Sequence, residues 1–188
     1  MDPIKILGIA GSLRQGSYNR AALRAAKTLR PDDSELEIFD LKGIPGFTED
    51  EERNPPEQVV ALKARVKSAD AILFVTPEYN YSIPGVLKNA IDWASRPYGE
   101  SVWDGKPAAI MGASIGMLGS ARAQYHLRQS CVFLNMYLLN RPEVMIPQAA
   151  ERFDADGNLI DEQAKALIAQ LLEDLVRWTR RLRGQNSG

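Results

Sequence analysis

Three short stretches carry residues that can hold a ligand. The first, GSLRQGSYNR at 11–20, follows the apolar run IKILGIA. Its Gly11-to-Gly16 spacing begins like a nucleotide-binding P-loop, but Ser17 and Tyr18 stand where that loop needs Lys and Ser/Thr. Glycines let the backbone turn its N–H groups inward, and the helix expected next presents its positive end to an anion. Ser12, Ser17 and Asn19 add neutral hydrogen-bonding groups. Arg14 supplies one fixed charge with bidentate geometry toward phosphate oxygens. A triphosphate on magnesium normally needs the missing lysine and hydroxyl. The loop therefore suits a metal-free monophosphate. It also lacks the G-x-G-x-x-G pattern, which argues against a dinucleotide as resident cofactor. The plain alternative is an ordinary helix cap.

The second stretch, TPEYNYSIPG at 76–85, combines an aromatic pair, an amide and an acid between Pro77 and Pro84. The prolines stiffen its ends, so Glu78, Tyr79 and Asn80 can present a fixed edge to a planar heterocycle. The alternative is a rigid turn in which Ser82 caps the next helix. A general-base role for Glu78 has little support. The third, GASIGMLGSAR at 112–122, spaces Gly112, Gly116 and Gly119 around Ser114 and Ser120. Glycines there allow close approach of backbone to a ligand face, or else the segment is a flexible connection with Ser120 as a cap.

The elements that must position these loops are readable. Near-continuous apolar runs at 4–10, 71–76 and 108–113 predict strands buried on both faces, as in a parallel sheet. LEIFDL at 36–41 predicts an outer strand, and a fifth is expected near Glu143 to Ile146. Helical segments separate them, including PGVLKNAIDWA with Pro84 in its first turn. The last helix follows the i, i+3, i+4 rule through Ala164, Leu167, Ile168, Leu171, Leu172 and Leu175. Alternating strand and helix predicts a single α/β domain over 1–188 with a flavodoxin-like five-stranded parallel sheet, order 2-1-3-4-5, and helices on both faces. In such a sheet ligands bind beyond the carboxyl ends of the strands, where these three loops fall. The basic end RWTRRLRG is expected to fray from about 180, and the acidic loop 42–56 reads as solvated, or as a lid or partner surface.

Composition narrows the function. A net charge of -1 offers no general attraction to nucleic acid or anionic membranes. A single cysteine, Cys131, excludes an internal disulfide and a cysteine-rich metal site, and points to a cytoplasmic home. With one histidine, His126, zinc chemistry and a Ser-His-Asp triad are poor fits. His126 reads as structural or interfacial, and no metal is expected.

The stretches GSLRQGSYN, TPEYNYSIPGVLKNAIDWASRP and GSARAQYHLRQ together resemble the NAD(P)H-dependent FMN reductase family, nearest its bacterial quinone and chromate reductase branch. The resemblance runs from the first strand to about 143. It implies non-covalently bound FMN, with NAD(P)H as co-substrate. Ser12, Arg14, Ser17, Tyr18 and Asn19 then fall at the phosphate, Pro77, Glu78, Tyr79 and Asn80 along the isoalloxazine, and Ser114 with Gly116 at the third contact. One departure is Gly119-Ser120 where paired glycines are expected. The resemblance also implies a homodimer or homotetramer, with Arg122, Tyr125 and Arg128 as candidate interface groups.

The expected activity is hydride transfer from NAD(P)H to FMN, then two electrons to a quinone or a similar small acceptor such as chromate, an azo dye or free flavin. The choice between NADPH and NADH stays open, with a lean to NADPH. No acid or base is assigned, because the cofactor carries the chemistry. The rival reading is an FMN electron carrier between proteins, though such carriers tend to be strongly acidic. A third is a module that kept the fold and lost the flavin.

Overall fold

The computed structural model describes residues 2–184. Its elements, in order, are β1 (Ile4–Ala10), α1 (Tyr18–Leu29), β2 (Ser34–Phe39), α2 (Glu57–Ser68), β3 (Ala71–Val75) and α3 (Gly85–Ala94). They continue with β4 (Pro107–Ala113), α4 (Ala121–Phe133), β5 (Tyr137–Leu138), β6 (Val144–Ile146) and α5 (Glu162–Leu182). All strand pairs are parallel, in the order β2-β1-β3-β4-β5, with β6 also pairing β4.

The expected order holds, but the sheet has six strands rather than five. The fifth position is filled by two pieces. Tyr137 and Leu138 pair with the start of β4, and Val144 to Ile146 with its end. Between them lies Asn140-Arg141-Pro142, and a proline cannot donate to a sheet ladder.

Every residue of β3 and β4 is buried, which is why both read as unbroken apolar runs. Side chains alternate between two cores. Ile4, Ile6, Leu73, Val75 and Met111 pack under α1 and α5, while Leu7, Ile9, Ile72, Phe74 and Ile110 pack under α2, α3 and α4. On α5, Ile168, Leu171, Leu172 and Leu175 lie on the inward stripe. Fully burying each contributes about 1.5–3 kcal/mol, against ~0–1 kcal/mol for a surface ion pair. Packing thus holds α5 in place, and Asp161 starts it by accepting from Ala164 N–H at 2.7 Å.

Of the end expected to fray from about 180, residues 180–184 are described. The helix runs to Leu182, Arg180 pairs with Asp33 and Arg183 with Asp70; residues 185–188 lie outside the described residues. Loop 42–56 is docked rather than free. The Pro45 carbonyl accepts from Asn89 and Trp93, Phe47 N–H donates to Asn89, and the Phe47 ring meets Trp93 edge-on. No helix among the described residues is long and apolar enough to cross a membrane.

Candidate cofactor site

Ala10 lies beside Val75, and Val75 beside Met111, so β1 and β3 end level while β4 runs two residues further, to Ala113. Three loops rise from that edge. Gly11 N–H donates to Val75 C=O at 2.9 Å and Thr76 N–H to Met111 C=O at 3.0 Å, which fixes their roots. That edge lies where the chain order reverses around β1, the position favoured for ligands in open parallel sheets.

In the first loop Ser17 caps α1, its hydroxyl accepting from Arg20 N–H at 3.4 Å. Ser12 is buried, and its hydroxyl accepts from Arg14 N–H. The N–H groups of Tyr18 and Asn19, in the first turn, find no acceptor among the described residues. Free donors at a helix start attract an anion. Arg14 is exposed, its guanidinium 5.7 Å from the Tyr18 ring centre, with no carboxylate in ion-pair reach among the described residues. Arg20 is committed to Asp40 at 3.0 Å. Asn19 is 3% exposed and its side chain is bonded to Ala113, so only its backbone N–H remains to meet a phosphate.

The second loop holds a tight turn. Tyr79 N–H donates to Ser82 C=O and Ser82 N–H to Tyr79 C=O, both at 3.0 Å. Asn80 and Tyr81 at its tip have φ of 50° and 68°. Two left-handed residues in a row make the mirror-image turn of hairpins. Glu78 points away from solvent, with its side chain 8% exposed. One carboxylate oxygen accepts from Arg122 N–H at 3.0 Å and Ala123 N–H at 3.3 Å, and the other pairs with the Arg122 guanidinium. That pairing holds Arg122 above its ordinary pKa. Glu78 is therefore the N-terminal cap of α4, spent on structure rather than offered as a base.

Several local expectations change accordingly. Ser120 sits at the start of α4 with φ of 68°, and its side chain makes no capping bond. Ser82 does not cap α3; its hydroxyl lies 3.0 Å from His126 Nδ1. Pro84 precedes α3 rather than lying in its first turn. His126 thus ties α4 to the turn. Tyr125 donates to Glu143 at 2.7 Å and Arg128 to the Leu139 carbonyl at 3.1 Å, so all three proposed interface groups have partners within the chain.

In the third loop Gly112 is required by close packing: a Cβ there would run into Ser120 Oγ and the Thr76 carbonyl. Gly119, at φ of 53°, also passes too close to the Met145–Ile146 peptide for a Cβ. Ser114 N–H donates to Ile146 C=O, and Gln148 N–H to Gly116 C=O. This anchors the base and leaves an apolar tip, with Ile115 76% and Met117 73% exposed. Buried Gln124 supports it from below, donating to Gly119 C=O, Ser120 Oγ and Val144 C=O. Sequence reasoning missed Tyr81 and Gln124 and gave Arg122 a different task. Tyr81 and Arg122 meet across 41 positions of chain and Gln124 reaches on to Val144, and only Asn80, a frequent left-handed residue, hinted at the turn.

The arrangement can take a planar ligand with an anionic end. Arg14 and the start of α1 hold the free donors an anion would need, Tyr79 lies in the stiff turn beside them, and Ile115, Met117 and Leu118 leave apolar surface exposed. Among the described residues no cluster of His, Cys, Asp and Glu could hold a metal.

Known proteins were compared with this chain. The family model for NADPH-dependent FMN reductase matches residues 4–151. An NAD(P)H-dependent FMN reductase of Pseudomonas aeruginosa is 56% identical over 97% of this chain and 99% of its own. A 2-hydroxy-1,4-benzoquinone reductase of a Burkholderia species is 44% identical over 94% of this chain and 97% of its own. The solved structure of FerB, a flavoenzyme NAD(P)H:(acceptor) oxidoreductase of Paracoccus denitrificans, superposes with a TM-score of 0.86 at 36% identity. It covers 95% of this chain and 98% of its own. On this evidence the chain belongs to the NADPH-dependent FMN reductase family.

Proposed function

We propose that the chain is an NAD(P)H-dependent FMN reductase that delivers electrons to quinone-type acceptors. The observation that carries this reading is the unspent donor set at the start of α1. The Tyr18 and Asn19 N–H groups have no acceptor among the described residues, and Arg14 has no acid partner there. A mononucleotide phosphate needs such a set, and the apolar tip around Ile115 and Met117 suits an isoalloxazine face. The residues present therefore fit FMN.

Bound FMN supplies two-electron redox chemistry between a nicotinamide and a quinone. The chain's own part is to bind and orient. Ser12, Ser17 and Gly16 shape the phosphate loop, and Arg14 neutralises its charge. Pro77, Glu78, Tyr79 and Asn80 hold a stiff edge, while Ser114 and Gly116 set the third wall. NADPH is the favoured donor, and donor and acceptor would take the same place in turn.

The carrier alternative is not favoured. The relatives are named as reductases, and a net charge of -1 gives little to dock a basic protein partner. One domain, a cytoplasmic home and a homodimer or homotetramer belong to the same reading. The free buried thiol of Cys131 supports the second, and exposed Tyr98, Val132 and Phe133 support the third. Mixing FMN-loaded protein with NADPH in a stopped-flow cell tests the activity. Bleaching of the flavin followed by reoxidation on adding a benzoquinone is expected; a flavin that stays yellow with both nicotinamides refutes it.

A further inference from the structure

Tyr81 is an unusual residue to find at the tip of a left-handed turn. Asparagine tolerates that conformation and tyrosine does not, yet Tyr81 adopts φ of 68° directly after Asn80 at 50°. The turn must be held from outside. Arg122 lies over it, its guanidinium carbon 3.6 Å from the Tyr81 ring centre. The same guanidinium pairs with Glu78, on the other side of the turn. Capping uses only Glu78 Oε2, which takes the backbone N–H groups of Arg122 and Ala123; Oε1 is left to the guanidinium. Arg122 Nε is buried without a hydrogen-bond partner, so the side chain gives up a bond to keep its place over the ring.

We propose that Arg122 is a positioning residue: by bridging Glu78 and the face of Tyr81 it locks the 79–82 turn against α4 and so fixes the edge of the cofactor site. A planar cation is needed. Lysine could keep the pair with Glu78 but has no flat face to lay on the ring. The consequence for turnover rests on the FMN reductase reading; the clamp itself does not.

The test begins on the protein without flavin. Hydrogen exchange at the Ser82 amide reads the turn directly, since that N–H closes it on Tyr79. Arg122→Ala, Arg122→Lys and Tyr81→Leu are each expected to speed that amide about tenfold, the scale of a well-packed cation–π contact. In Arg122→Lys the amides of residues 122 and 123, capped by Glu78, should keep their protection. In FMN-loaded protein the same variants should reduce the flavin about tenfold more slowly with an unchanged KM for NADPH.

A Ser82 amide that exchanges at the wild-type rate in all three variants overturns the clamp. Faster exchange with unaltered flavin reduction overturns the positioning role. Should Arg122→Ala fail to fold, Tyr81→Leu and Arg122→Lys decide both points. Failure of wild-type protein to reduce its flavin would refute the reductase reading separately, and the flavin-free exchange rates would still decide the clamp.

Discussion

Asn19 grips Ala113 from both sides, its side-chain carbonyl accepting the Ala113 N–H at 2.9 Å and its amide donating to the Ala113 C=O at 2.8 Å. The start of α1 is thereby fixed to the end of β4, and two of the three site loops are set relative to each other. Asn19→Ala strands both backbone groups in a buried place, at a cost of about 1–3 kcal/mol each. Calorimetry should show a melting temperature lower by about 2–4 °C per kcal/mol, with or without FMN. An unchanged melting point would mean that the clamp is not holding the loops.

Arg14→Ala should weaken FMN through the phosphate alone. A charge-assisted hydrogen bond contributes about 1.5–3 kcal/mol, so the dissociation constant rises about 10- to 100-fold. Arg14→Lys keeps the charge but not the fork, and its loss should be smaller. Fluorescence titration measures both, and an FMN affinity indifferent to Arg14→Ala would remove this residue from the site.

Glu78→Gln separates a cap from a base. The amide oxygen can still accept from the N–H groups of residues 122 and 123, but the charge facing the Arg122 guanidinium is gone. The pH profile of flavin reduction should keep its shape while the melting temperature falls. Loss of a limb from that profile would return Glu78 to an acid–base role.

Burial pushes the Cys131 thiol from 9.0 up to about 12. In the unfolded chain the thiol ionises first, so the stability this group contributes is complete below about pH 9. It is lost as pH rises from there toward 12. Lys106, lowered by its own burial, acts with the opposite sign and cancels when wild type is compared with Cys131→Ala. Urea melts from pH 8 to 11 should show a shallower alkaline decline in the variant. Equal slopes would contradict the inert thiol.

The three central strands were legible because burial on both faces demands apolar residues at every position, and β3 and β4 obey. The split fifth strand was not, since pairs as short as Tyr137–Leu138 leave no period to detect. At the site, Gly112 and Ser17 announced close approach and a cap through residue type. Glu78 did not, because its partners lie 44 and 45 positions away and nothing local distinguishes a distant cap from a base. Asn19 looked like a ligand for the same reason: an amide that binds phosphate and one that binds a strand end are the same letter.

The place of α5 has a consequence for synthesis on the ribosome. Every strand precedes it in the chain, yet it covers half of one sheet face through Ile168, Leu171, Leu172 and Leu175. Arg180 and Arg183 then fasten it to Asp33 and Asp70, beside the starts of β2 and β3. A nascent chain must therefore hold a finished sheet with one oily flank open until its last helix emerges. That interval is when chaperone capture or aggregation competes with folding.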